Sequence, residues 1–377
     1  MAIRQMKAFE RVLQEGFDRK ASDVLMTPGE PVCFRIGGAL VRAEGEALYA
    51  DQIKSIAEAA VGEERLKKDI ATVGRSVTSC GIDGVGDGRM CITSSFGDYT
   101  IAVRLLPRLL PTIKATRVPE SVIEAAKAPH GLLIFAGPAG SGKTTTMLAV
   151  LEHLNETKAI HICTVEDPIS YRMESKKAIV QQHEVGVDVP SVVSGIVAAM
   201  RQDMDVLMVN ELKRVEEVEA TVTAAHLGHL VITQMHSTSP EGAILRLMNI
   251  QPGEAGDMLR RQLGESLRCV CHQILLPTED GKGRVAAYGV LVVDEEMRRA
   301  IAAGEDIRAR TKPLPKGCQS LAADTERLWV DGVISKETMM SVCGEEPKVE
   351  SLAERQRRMA ARVSLSGDEK KGKKDRR

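Results

Sequence analysis

Residues 137–144 read Gly-Pro-Ala-Gly-Ser-Gly-Lys-Thr, and no other stretch constrains the fold as strongly. Before it runs Gly131-Leu132-Leu133-Ile134-Phe135-Ala136, apolar and of strand length; after it Lys143-Thr144-Thr145-Thr146-Met147-Leu148 opens a helix. Strand, glycine-rich loop and helix in that order make a phosphate-binding loop. Glycines let backbone N–H groups turn inward and approach phosphate oxygens. The helix N-terminus adds partial positive charge. Gly137, Ala139, Gly140, Ser141, Gly142, Lys143, Thr144 and Thr145 are the expected nucleotide contacts, with ATP as the nucleotide. Lys143 is expected to reach the β- and γ-phosphates, and the Thr144 hydroxyl to ligate Mg²⁺.

The loop sits in a region of alternating apolar strands and amphipathic helices, residues 121–345, which predicts an α/β domain with a mainly parallel sheet. Strands are expected at Leu132–Ala136, Ile160–Val165, Asp205–Val209 and Leu230–Gln234, and helices at Lys143–Asn155, Val192–Arg201 and Val215–Leu227. Residues 1–106 have a different pattern. An amphipathic helix carries Met6, Phe9, Val12, Leu13 and Phe17, and short glycine-punctuated strands follow, so a small α+β domain is expected. The proline-marked stretch 107–120 is the expected linker, and 346–377 a basic, disordered tail.

Charge and cysteines remove several classes of function. The formal net charge is -1 and aromatics are 3%, so nothing advertises DNA binding. There is no secretory leader pattern and no apolar run long enough to span a bilayer, so no membrane insertion is expected. Among eight cysteines none forms a CxxC pair; free thiols in a reducing cytosol are the expectation.

Hydrolysis also needs an oriented water and carboxylate support for the metal. Two apolar runs end in acids: His161–Val165 in Glu166-Asp167, and Asp205–Asn210 in Glu211. At the C-terminal ends of parallel strands these lie near the crevice into which the phosphate loop opens. His226, His229 and His236 cluster around the run Leu230-Val231-Ile232, and one or two of them are candidates to sense or donate to the phosphates.

These residues together resemble the type II/type IV secretion and pilus motor ATPases over roughly residues 8–310. The phosphate loop is Gly137–Thr144. The family's Asp box is similar to Thr164-Val165-Glu166-Asp167-Pro168-Ile169, its Walker B to Asp205–Glu211, and its His box to Ala224–His229 through Met235-His236-Ser237. Lys20-Ala21-Ser22-Asp23 with Phe34-Arg35-Ile36-Gly37-Gly38 resembles the family's PAS-like domain, and Met297–Ile301 loosely resembles the C-terminal helix motif of retraction-type members. The resemblance implies a PAS-like N-terminal domain before a RecA-like ATPase domain, assembled as a hexameric ring at the cytoplasmic base of a pilus machine. It implies that Glu211 activates water, that Glu166 supports Mg²⁺ or water, and that Asp167, His229 and His236 complete the pocket. Its partners would be an inner-membrane pilus platform protein and a paralogous pilus ATPase. Extension-type members are usually longer and carry a two-CxxC module, which this chain lacks, so the resemblance favours retraction.

Some positions depart from the family. Asn210 stands where glycine is usual, Lys213-Arg214 where Arg-Asp is usual, and His183 where arginine is usual, while His226 replaces a polar or acidic residue. The stretch Arg89–Asp98 matches a region that in the family is arginine-rich and reaches a neighbour's nucleotide; Arg104 is the nearest retained arginine. A trans arginine is worth orders of magnitude in rate. The sequence thus predicts nucleotide binding, and leaves two readings of turnover: a competent retraction motor, or an accessory subunit with weak hydrolysis of its own.

Overall fold

A computed structural model describes residues 2–82, 85–106, 110–311 and 314–344. The tail 346–377 and the first three linker residues lie outside the described residues.

The N-terminal part runs α1 (Ala2–Asp18), β1 (Asp23–Met26), β2 (Cys33–Ile36), β3 (Ala39–Arg42), α2 (Ala50–Val61), α3 (Glu63–Val73), β4 (Arg75–Ile82), β5 (Gly86–Ser95) and β6 (Asp98–Leu106). Its strands form an antiparallel sheet in the order β3-β2-β1-β6-β5-β4. Phe9, Leu13, Ile53, Ile56 and Leu66 from the helices pack on Val24, Phe34, Met90, Ile92 and Val103 of the sheet. The β5–β6 hairpin turns at Phe96-Gly97, both left-handed, with the Phe96 ring fully exposed.

Next come α4 (Ile113–Thr116), α5 (Glu120–Ala126), β7 (Gly131–Ala136), α6 (Lys143–Thr157), β8 (His161–Glu166), β9 (Ile179–Glu184), α7 (Val192–Met200), β10 (Val206–Glu211), α8 (Val215–His226), β11 (Leu230–Met235), α9 (Pro240–Met248), α10 (Gly253–Ser266), β12 (Leu267–Pro277), β13 (Arg284–Val292), α11 (Glu295–Ala303), α12 (Leu321–Val330) and α13 (Lys336–Cys343). The second sheet has the order β13-β12-β7-β11-β10-β8-β9, parallel throughout except for the hairpin partner β13. Because successive side chains point to opposite faces, β7 serves two cores. Leu132, Ile134 and Ala136 join one apolar cluster with α7 to α11; Leu133 and Phe135 join another with α5 and α6. Helices on both faces of a parallel sheet place ligands at the C-terminal strand ends.

The expected linker is not an open connector in its described part. Val118 is buried with the α5–α6 cluster, and the Tyr288 hydroxyl donates to the Thr116 carbonyl at 2.5 Å. The two domains also touch directly. Arg89 of β5 lies 3.3 Å from Glu184 of β9, and Arg172 lies 3.1 Å from Asp87.

Candidate nucleotide site

The loop between β7 and α6 has the backbone a phosphate cradle requires. Gly137, Gly140 and Gly142 all have positive φ, at 151°, 72° and 84°. Two of them also have no room for a side chain. A Cβ on Gly137 would lie 2.3 Å from the Gln273 carbonyl, and one on Gly142 would lie 2.8 Å from the Gln273 amide nitrogen. Gln273 comes from β12, the strand beside β7, and its Nε2 donates to the Ser141 carbonyl at 2.7 Å. The loop is therefore held from behind by one buried amide.

Lys143 is buried, and its ammonium donates to the carbonyls of Gly137 (2.9 Å) and Pro138 (2.7 Å). Burial lowers its pKa, and the nearby negative charge of Glu211 opposes that shift. Ser141 adds a buried hydroxyl oxygen with no protein partner. A cationic nitrogen, an unpartnered hydroxyl and three glycines in one turn fit a nucleotide phosphate.

Glu211 and His236 meet at the ends of β10 and β11. Glu211 Oε1 lies 2.8 Å from His236 Nε2, and His236 Nδ1 lies 3.2 Å from the Gly137 carbonyl. One imidazole thus connects the strand-end carboxylate to the first residue of the loop. Arg246 of α9 donates to the His236 carbonyl at 3.0 Å and fixes that backbone.

Thr144 donates to Gln234 Oε1 at 3.1 Å, and Gln234 Nε2 donates to Asn210 Oδ1 at 2.5 Å. Neither glutamine of the site, Gln234 or Gln273, emerges from sequence reasoning. The available signal is a lone amide inside each of two apolar strands, where a buried polar group needs a partner.

Glu166 ends β8 at the same end of the sheet, but its carboxyl is fully buried. It accepts from Thr164 (2.8 Å), Gln182 (3.0 Å) and the Ser170 N–H (3.2 Å). Burial raises its pKa and the adjacent Glu184 raises it further, against those three bonds. Both oxygens being engaged in the β8–β9 junction, Glu166 is placed to shape the Asp-box segment rather than to offer a free oxygen to a metal. Asp167 is half exposed, 3.8 Å from Lys213. Tyr171, in the same segment, reaches Thr145 of the loop's helix, an interaction that opposes the rise in its pKa caused by burial.

His229 is a correction. It precedes β11, at the N-terminal end of the sheet, and its Nδ1 contacts the Met204 carbonyl at 2.9 Å. A strand advances ~3.3 Å per residue, so His229 and His236 are roughly 20 Å apart. His226 is likewise elsewhere, against Glu265 at 3.2 Å. Proximity in sequence across a buried strand separates side chains in space. Among the described residues no cluster of three or more His, Cys, Asp or Glu could hold a metal. Mg²⁺ held by Thr144 and the phosphates of a nucleotide needs no such cluster. No described helix is long and apolar enough to cross a membrane.

Doubly wound sheet, glycine-rich loop and strand-end glutamate together are the arrangement that P-loop nucleotide-binding proteins share. The model of the Type II/IV secretion system protein family matches residues 4–279, and the chain belongs to that family. It is similar to the type IV pilus retractation ATPase PilT of Pseudomonas aeruginosa, 31% identical over 316 residues that cover 84% of this chain and 91% of that one. It is also similar to the type IV pilus ATPase PilU of the same organism, 28% identical over 341 residues covering 88% of each. A crystal structure of the pilus retraction motor PilT with bound ADP superposes with a TM-score of 0.80 at 31% identity, over 90% of this chain and 98% of that one.

Proposed function

We propose that this chain is an ATP-hydrolysing motor subunit that powers type IV pilus retraction. The observation that carries the reading is the Glu211–His236–Gly137 connection, which sets a strand-end carboxylate against the phosphate loop. The similarity to PilT over most of both chains supports it. Bound Mg-ATP would supply the phosphoryl group to be transferred. Lys143 and the loop N–H groups would hold the phosphates, and the Thr144 hydroxyl would ligate Mg²⁺. Glu211 orients the attacking water and takes its proton, with His236 keeping the carboxylate in place. Glu166 and Asp167 shape the wall formed by the β8–β9 segment.

By analogy with its relatives the subunit works as a homohexamer at the cytoplasmic face of the inner membrane, against the pilus platform protein. The test is steady-state turnover of Mg-ATP by the purified chain. The reading requires turnover that Glu211→Gln abolishes while ATP binding persists, and a gene deletion that leaves pili present but unretracted.

One observation favours a second reading, an accessory nucleotide-binding subunit that acts with a paralogous pilus ATPase. The β5–β6 hairpin tip, Ser94 to Asp98, carries no arginine. The arginines that β5 and β6 themselves carry are engaged within the subunit, Arg104 with Asp23 at 3.2 Å and Arg89 with Glu184. Turnover no higher than that of Glu211→Gln, despite tight ATP binding, selects this reading.

A further inference from the structure

We propose that Gln234 and Asn210 form an amide pair that orients the Thr144 hydroxyl as a ligand for nucleotide-bound Mg²⁺. This rests on the nucleotide-binding reading above.

Gln234 lies in β11, every residue of which is buried, so both ends of its amide need partners. It has them in Thr144 Oγ1 at 3.1 Å and Asn210 Oδ1 at 2.5 Å. Asn210 owes its position to a break in the ladder. Val209 pairs with Thr233 and Glu211 pairs with Gln234, which leaves Asn210 as the extra residue of a bulge. Bulges beside active sites re-aim side chains, and this one turns Asn210 toward Gln234.

An amide can face a partner with either its oxygen or its nitrogen. Asn210 Oδ1 accepts, so it draws the NH₂ of Gln234 toward itself and leaves Gln234 Oε1 facing Thr144. A hydroxyl has one proton and two lone pairs. With the Thr144 proton committed to Gln234, its lone pairs remain for a cation. A carboxylate at 234 would hold the proton equally well, but would add negative charge beside Lys143 and Glu211. If the acceptor at 210 is removed, Gln234 is free to flip, and its NH₂ then takes the lone pair that the metal uses.

The test is binding of a fluorescent ADP analogue by the full chain, with Mg²⁺ and in EDTA. The gain in affinity from Mg²⁺ is the readout, and the affinity in EDTA reports on the loop itself. Asn210→Leu is expected to cut the gain about fivefold, the worth of one hydrogen bond, with EDTA affinity unchanged. Gln234→Leu should do the same. Asn210→Asp keeps an acceptor and should retain the gain. Equal gains in wild type and Asn210→Leu overturn the proposal, as does an Asn210→Asp loss equal to that of Asn210→Leu. A wild type that binds the analogue with no gain from Mg²⁺ overturns it alone. A wild type that binds in neither condition overturns the nucleotide reading, and the proposal with it. Should Gln234→Leu not fold, the two variants at half-buried Asn210 decide.

Discussion

Nε2 of His236 lies 2.8 Å from Oε1 of Glu211, while the same ring's Nδ1 faces the Gly137 carbonyl. The imidazole thus fixes the carboxylate relative to the loop, and its loss should act on chemistry more than on binding. For His236→Ala we expect single-turnover ATP hydrolysis to fall about 10²-fold, the scale of a displaced general base. ADP affinity should change far less. A variant with wild-type turnover would remove His236 from the mechanism.

The two contacts between the domains should differ sharply in worth. Glu184 is nearly buried, so Arg89→Ala strips an enclosed carboxylate of its counterion; a loss of about 1–3 kcal/mol is expected. Asp87 and Arg172 are both exposed, and Asp87→Ala should cost under about 1 kcal/mol. Denaturant melts of the two variants compare them directly.

Glu166 makes a prediction about pH. Its carboxyl is held above the ordinary value of 4.5 by burial, so the folded chain keeps a proton there that the unfolded chain releases. Stability should therefore fall as pH rises from about 4.5 through the folded-state pKa, and level off above it. Glu166→Gln removes this term. The stability of the variant minus that of wild type should grow over that window; the cost of turning its NH₂ toward the Ser170 N–H does not change with pH. A difference flat from pH 4.5 to 8 would show that Glu166 is not held protonated.

His229→Ala should leave ATP affinity within about twofold of wild type, as for a substitution remote from the ligand. The family pattern groups His229 with His236, so single-turnover hydrolysis by the two alanine variants separates inheritance of a motif from a part in the chemistry, with His229→Ala expected to keep the wild-type rate.

The parts of this fold that could be read in advance are those where burial is strongly patterned. β7, β10 and β11 are apolar runs buried on both faces, and each is visible as such. β9 is not visible in this way, because Gln181, Gln182 and His183 make it polar; its place at the sheet edge lets it remain so. α3 leaves little trace in the sequence because it buries only Leu66. In the site, the loop and Glu211 are carried by local sequence. Gln234 and Gln273 act through partners 90 and 132 positions away, a relationship that no local pattern encodes.

The Arg89–Glu184 contact has a mechanical consequence. Glu184 also accepts from the Ile169 N–H at 3.3 Å, so one carboxylate is clipped both to the N-terminal sheet and to the segment that follows Glu166. Any swing of the N-terminal domain off β9 must unseat that clip before the domain turns freely. Loss of that one carboxylate would therefore release two segments together, the N-terminal sheet and the stretch that follows Glu166.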